Sequence, residues 1–410
     1  MQAQRIKSVK CLNKQKTLDF KVKHKDHNFY AEGIVVSNSH SAGYSYLTAI
    51  CAYLKANHTT EFFLACLENM KYSNNPVLEE IAAIHSELPY FGIKFLPPHL
   101  LKSDIGFKIE GKDIRFGLGS IKNIAEKSIE KLNKFISRYS NKFEIFQAAD
   151  ESGISISILS SLILVGALDE DLSKEPRSKV LLEAQLWNLL TEREQKLMKE
   201  YGKRFNYNLI NTLRYVSKEV KTSTGKPQIK ESRLITLRKD FAEYQAMYEF
   251  NKRNDNYAKY WFEQKLLGFS YSATLREIFN KEEGDLISVK EVTESLPDQE
   301  VRFVAHVIEV KEWTAKSEKK TKCFKCNAKD ETGQVEVLIF NDAIEACEES
   351  NGRKIQEDDI IVVKGTKKDG AVFARKIGIQ TSEVFLKISE MKKIQKSSKS
   401  LSINKTPIAK

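Results

Sequence analysis

Apolar and polar positions change rhythm several times along the chain, and each change marks an element. Leu18, Phe20 and Val22 alternate with polar residues, the period of a half-buried strand. Residues 23–28 are polar and turn-like. Gly33, which tolerates φ > 0, turns the chain into another strand over 34–36. From 39 to 67 the period is helical. Tyr46, Ile50, Tyr53 and Leu54 recur at helical spacing, and Phe62, Phe63, Cys66 and Leu67 form a second stripe behind a start that Thr59 or Thr60 caps. Asn75 and Pro76 read as N-cap and first-turn proline of a helix over 77–88. Residues 171–262 are charged and helical in pattern, punctuated by Trp187, Tyr201, Tyr207, Tyr215 and Trp261, with a loop at 222–226.

Past residue 300 the period drops to two. Val301, Phe303, Ala305 and Val307 alternate, then Val335, Val337 and Ile339, with Asp330–Gly333 as a turn between strands. A short helix follows at 343–349, and Asp369-Gly370 marks a hairpin into 372–377. Five strands with a helix between the third and fourth are the pattern of an OB-fold, a small barrel that often binds single-stranded nucleic acid. Lys319, Lys320 and Lys322 fall in the first long loop and second strand. Trp313 and Phe324 stand beside those charges, and Phe373 lies further along, where bases can stack. Phe324 and Phe373 have a second placement, the barrel core, which is the commoner one for each taken singly.

Charge and cysteine content narrow the classes. The chain has 410 residues, 41% of them hydrophobic, and a net charge of +11, which suits a polyanionic partner. No apolar run approaches a membrane span, and residues 1–16 are basic without an apolar stretch, so neither a membrane nor a secretory signal is expected. Six scattered cysteines imply no disulfide framework and a reducing cytoplasm. Cys323 and Cys326 are spaced like half a zinc site but lie three apart on a strand, which aims them at opposite faces, and no second ligand pair accompanies them. The tail from Met391 carries six lysines and no acid.

Two sequence languages meet at Asn38–Ser39. The left one, residues 17–22 (Thr-Leu-Asp-Phe-Lys-Val), then Asp26-His27-Asn28-Phe29 and a terminal Asn38, resembles the C-terminal end of an intein. An Asn there can cleave its own peptide bond: the side-chain amide nitrogen attacks the carbonyl carbon and closes a succinimide. A following hydroxyl must first accept the upstream extein, and Ser39 supplies it. By resemblance, Asp19 assists that ester transfer and His27 the bond rupture. Ser37 stands where many inteins carry a histidine. The right-hand language resembles the fingers of the bacterial DNA polymerase III alpha subunit, a C-family polymerase. It runs through Ser-His-Ser-Ala-Gly-Tyr (39–44), Ala-Tyr-Leu-Lys-Ala-Asn (52–57), Thr-Glu-Phe-Phe-Leu-Ala-Cys-Leu (60–67), Phe-Gly-Ile-Lys-Phe-Leu-Pro-Pro (91–98), Ile-Arg-Phe-Gly-Leu-Gly-Ser-Ile-Lys (114–122) and Leu-Ile-Leu-Val-Gly-Ala-Leu-Asp (162–169). Asn123-Ile124-Ala125 replaces the family's Gly-x-Gly hairpin. Residues 263–269 resemble the family's linker into its next domain.

The resemblance implies an α+β multidomain chain. A small β-rich split-intein C-terminal fragment (1–38) precedes mainly helical polymerase fingers and a following helical region (39–170), then a charged helical region and linker (171–298), an OB-fold nucleic-acid-binding barrel (299–380) and a disordered basic tail (381–410). It implies incoming deoxynucleoside triphosphate held by Ser39, His40 and Ser41 at a helix start, with Arg115 and Lys122 as further cations. The joined enzyme would be a DNA-directed DNA polymerase, a nucleotidyltransferase whose Mg²⁺ is bound by a palm-bearing N-terminal partner half; this chain alone holds none. DNA primer-template is the expected substrate. A sliding clamp is a further partner, for which Gln245-Ala246-Met247-Tyr248 is the nearest counterpart of the family's clamp-binding peptide. The alternative is a non-catalytic, single-stranded nucleic-acid-binding protein with an inert intein remnant.

Overall fold

The computed structural model describes residues 28–31, 34–37, 40–72, 76–170, 175–314, 322–380 and 384–393. Asp19, His27, Asn38, Ser39, Lys319 and Lys320 lie outside them, as do the alternating run at 18–22, Gly33 and the tail beyond 393. Two units divide at residues 63 and 64. In the first, Asn28–Ala31 (β1) and Ile34–Ser37 (β2) pair antiparallel, Phe29 opposite Val36. Helix α1 (His40–Asn57) follows, and Tyr46, Ile50, Tyr53 and Leu54 are all exposed on it. Helix α2 (Thr59–Asn69) starts at Thr59, whose hydroxyl donates back to the Lys55 carbonyl at 2.8 Å and so serves the end of α1.

In the second unit, α3 (Val77–Glu87) is preceded by Pro76 in the N-cap position, one residue earlier than the first turn. The Pro76 carbonyl accepts the N–H groups of Glu79 and Glu80. A small sheet orders β3 (Phe95–Leu96), β5 (Asp113–Arg115) and β4 (Lys108–Glu110) side by side. Gly117 lets two loops touch: a Cβ there would lie 2.4 Å from the Gly106 backbone. Asn123 has φ +77°, the left-handed conformation that Asn tolerates best among residues other than Gly. Helices α4 (Ile129–Phe135), α5 (Lys142–Glu151) and α6 (Ile156–Leu164) come next. Asn141 caps α5 by accepting from two backbone N–H groups, and Ser155 caps α6.

The charged region folds as α7 (Arg177–Leu189), α8 (Glu192–Gly202), α9 (Leu209–Glu219), α10 (Glu231–Asn251) and α11 (Asp255–Leu267). Met247 of the weak clamp-like motif is buried in α10. Short α12 (Leu275–Glu283) and α13 (Val289–Glu294) each begin with a capping box.

The barrel then forms from β6 (Glu300–Thr314), β7 (Lys322–Lys329), β8 (Gln334–Phe340), helix α14 (Asn341–Asn351), β9 (Ile360–Lys368) and β10 (Ala371–Gln380). The sheet closes in the order β10-β8-β7-β6-β9, with β10 and β8 parallel, which is the five-stranded topology expected of an OB-fold. The alternating residues expected inside, from Val301 to Val307 and from Val335 to Ile339, are buried there with Phe324 and Cys326. Cys323 is also buried, and burial pushes the Cys326 thiol up to about 12.

One buried ion pair joins these parts. Arg177 opens α7 and donates through Nη1 to Glu263 Oε1 of α11 at 2.6 Å, and through Nη2 to Asp169 Oδ2 at 2.7 Å. Glu263 is wholly buried, and its other oxygen accepts from Ser270 Oγ, Tyr271 N and Ser272 N at 2.8–3.0 Å. Gly166 makes room: its φ is +74°, and a Cβ would sit 2.1 Å from Arg177 Nη2. Two residues on, Lys265 pairs with Asp358 of the barrel at 2.5 Å, and Asp358 also meets His306 of β6 at 3.2 Å. Helix α11 therefore holds the α6–α7 turn with Glu263 and the barrel with Lys265.

A cavity of about 360 Å³ lies between α3, the end of α11 and the β7–β8 turn. His85 stacks on Phe269 at 4.2 Å there, and burial, aided by the charge of Lys329, pushes its pKa down to about 4. Burial, with the charge of Asp330 beside it, pushes Glu331 up to about 7.

Two expectations follow. Replacing Glu263 by Ala leaves Arg177 buried with fewer partners and should cost ~3–5 kcal/mol in urea unfolding, whereas a loss under about 1 kcal/mol would contradict the keystone role. Glu331, whose folded pKa lies above its ordinary 4.5, contributes stability that is complete below about 4.5 and lost as pH rises through about 7. Glu331→Gln should therefore gain on the parent as pH rises across that window, by ~3 kcal/mol at most, and match it near pH 4. Melting curves from pH 4 to 8 check the crossing.

Candidate nucleic-acid interface

Strand parity decides which barrel residues meet solvent. Val335, Val337 and Ile339 point inward on β8, so Glu336, Leu338 and Phe340 point out. On β7 the inward set is Phe324, Cys326 and Ala328, which leaves Lys325 outward. On β10, Val372 and Ala374 point in and Phe373 out. A bulge on β6 between Val307 and Glu309 resets its parity. Beyond it Lys311 faces Lys325, and Trp313 faces Cys323.

Three rows of outward side chains result. The first runs from Trp313 on β6 past Cys323 of β7, which is itself buried, to Phe340 on β8. Trp313 is 41% exposed. The second runs Lys311, Lys325, Leu338, Phe373. Phe340 and Phe373 are half-buried and meet edge to face with centroids 5.2 Å apart, linking the two rows. Both lysines of the second row are held by acids: Lys311 by Glu309 at 2.6 Å and Lys325 by Glu336 at 2.5 Å. The bond from Lys311 also holds Glu309 below the ordinary carboxylate range.

The third row is different. Arg302 of β6 lies opposite Lys364 of β9, and Lys364 lies opposite Lys376 of β10. Three cations stand side by side across adjacent strands. The β10 bulge between Ala374 and Lys376 turns both Arg375 and Lys376 to solvent. Arg375 pairs with Glu300. Lys364 and Lys376 are exposed with no carboxylate within ion-pair distance among the described residues. Like charges directly opposite one another destabilise a sheet, and a polyanion laid across them relieves that repulsion. Phe373 pairs with Thr366, two positions from Lys364 on β9, so one aromatic face neighbours the row, and a single strand can use such a pair, bases on the aromatic and phosphates on the cations.

The residues marked in the sequence are dispersed by the fold. Trp313 is exposed, at the opposite end of β6 from Arg302. Phe324 is not: it is 6% exposed, in the core, with the Lys354 ammonium 5.6 Å from its ring centroid. Lys322 opens β7 opposite Thr314. Phe340, Arg302, Lys364 and Lys376 were not singled out. The parity of β8 alone could have found Phe340, whereas the cation row needs the register of three strands and a bulge. Elsewhere, His40 and Ser41 open α1. Arg115 is buried on β5, where it forks onto Glu110 and donates to the Pro97 carbonyl at 3.0 Å. Lys122 is exposed and lines an open cavity of about 760 Å³ with Gly119, Ser120 and Asn123, and Arg115 does not reach it. No group of three or more His, Cys, Asp or Glu side chains that could hold a metal ion occurs among the described residues, and no described helix is long and apolar enough to cross a membrane.

Residues 92–178 match the helix-hairpin-helix motif family. The chain is similar to the DNA polymerase III alpha subunit of Aquifex aeolicus, 26% identical over 333 residues, which is 80% of this chain and 24% of that protein. It is 32% identical over 140 residues to the alpha subunit of Saccharopolyspora erythraea, covering 33% of this chain and 11% of that one. The chain thus spans a quarter or less of the length of these relatives. Among solved structures, a domain of replication protein A from Methanococcus maripaludis aligns with 23% of this chain and 96% of its own length, at 22% identity and a TM-score of 0.18.

Binding to a fluorescent oligodeoxythymidylate tests the face. Trp313→Ala should weaken it by ~1–3 kcal/mol, the worth of one stacked base. Lys364→Gln with Lys376→Gln should flatten the salt dependence by roughly 1.4 logarithmic units per logarithm of salt. Phe324→Ala should instead lower the melting temperature, since its ring fills the core, with a loss of ~3–5 kcal/mol.

Proposed function

We propose that this chain is the C-terminal, DNA-handling part of a replicative DNA polymerase and that its barrel receives the single-stranded template. The observation that carries the reading is the cation row Arg302, Lys364, Lys376, with Phe373 paired to Thr366 two positions along β9, on a closed five-stranded barrel that also exposes Trp313 at the far end of β6. Its similarity to polymerase III alpha subunits over 333 residues supports the class. In this reading the start of α1, with Ser39, His40 and Ser41, faces the triphosphate, Lys122 is the accessible further cation, and the catalytic carboxylates with their Mg²⁺ belong to a palm-bearing partner chain. Joining occurs by trans-splicing at Asn38–Ser39. The support for that step is the succession Asp19, His27, Asn38, Ser39 in the sequence, with a β-hairpin ending at Ser37 immediately before the junction.

Mixing the chain with an intein-bearing palm partner under reducing conditions tests both parts. Mass spectrometry should find a ligated product and a released fragment of residues 1–38, and Asn38→Ala should abolish the release. Primer extension should appear with the ligated product and be absent from either chain alone. Extension by this chain alone would overturn the division of labour. Oligonucleotide binding without ligation or extension would favour the alternative of a non-catalytic binding protein, for which the cation row is equally suited.

A further inference from the structure

A second feature of the charged helical region is independent of the barrel. Helices α7, α9 and α10 enclose an open groove of about 540 Å³. Its floor is apolar: Leu186, Leu234 and Leu237 are buried beneath it, and Leu213 and Phe241 form half-buried walls. Leu234 and Glu249 both line it, fifteen positions apart on α10, so it runs for about 22 Å, roughly four helical turns. The rim is basic. Arg214 and Lys218 stand one turn apart on α9, exposed, with no carboxylate in ion-pair range among the described residues. Across the groove, Arg238 of α10 has only the exposed Glu231, at 3.3 Å. The acid of the groove, Glu249, is neutralised by Lys252 at 2.5 Å.

We infer that this groove docks an acidic amphipathic helix from a partner protein. An apolar trough as long as four turns, banked by cations on both sides, matches a helix with an apolar stripe flanked by Asp or Glu. The chain's own segments outside the described residues are unsuited. Residues 1–27 carry eight Lys and Arg against two Asp, and residues 394–410 carry four Lys and no acid. A second copy of the chain would bring like-charged rims together, which disfavours a symmetric pairing through this face.

The test uses the full chain and a fluorescein-labelled synthetic peptide of about four helical turns, with Leu at i, i+4, i+7 and i+11 and Glu on both flanks. Two controls accompany it: the same composition shuffled, and Lys in place of Glu. Saturable binding by the patterned acidic peptide, about tenfold or more tighter than by either control, is expected in fluorescence anisotropy. Arg214→Glu with Lys218→Glu should lose at least about tenfold for that peptide and gain affinity for the Lys peptide. Its melting temperature and oligonucleotide binding should be unchanged. No saturable binding, equal binding of the shuffled peptide, or indifference to the double charge reversal would each overturn the proposal. Displacement of the peptide by oligodeoxythymidylate would reassign the groove to nucleic acid. Concentration-dependent dimerisation that the double variant abolishes would reassign it to a second copy.

Discussion

The carboxylate of Glu263 is the constraint on which the second unit depends. It is wholly buried, accepts from Arg177 and takes three further donors on its other oxygen, from the turn that leaves α11. Such a pair adds little net stability over an apolar substitute, because both charges are stripped of water. What it adds is discrimination: a slip of α11 by one residue would leave a buried charge without partners. Gly166 is tied to the same constraint, since any side chain there would occupy the space of the Arg177 guanidinium. With Lys265 clasping Asp358 from the same helix, the register of α11 fixes both the helical region and the barrel.

The barrel was legible in the sequence because its information is local. Period-two alternation, the turn at Asp330–Gly333, the hairpin at Asp369-Gly370 and an intervening helix name an OB-fold without any long-range knowledge. The hairpin at residue 123 shows the limit of motif matching. The glycine is absent, yet Asn123 takes the left-handed backbone that favours glycine, so the lost letter did not cost the turn its conformation. Pro76 shows the ordinary one-residue error of helix boundaries.

Arg115, Phe324 and the cation row show what the sequence conceals. A lone arginine in a fingers-like segment reads as a phosphate ligand until its distance to Glu110 is known. Phe324 and Phe340 look alike as strand aromatics, and only the parity of each strand sends one into the core and the other outward. The row Arg302, Lys364, Lys376 draws on residues up to 74 positions apart, aligned by register and by a bulge in β10. The contrast with Lys311 and Lys325 matters as well. Those two are satisfied by Glu309 and Glu336, so a count of lysines overstates the charge that side of the barrel offers a ligand.

The closure of the barrel has a consequence for the order of assembly. β10 pairs with β9 on one side and, in parallel, with β8 on the other, so it is the last stave and seals the cylinder. During synthesis β6, β7 and β8 emerge first and can form their antiparallel meander, but the free edge of β8 stays open until residues 371–374 of β10 have left the ribosome. That edge presents unpaired backbone N–H and C=O groups on a strand whose inward side chains, Val335, Val337 and Ile339, still lack their β10 cover, a combination suited to capturing another chain. The intervening helix α14 and strand β9 therefore set a waiting time for a nascent sticky edge, and a ribosome stalled between residues 340 and 371 would leave it uncovered.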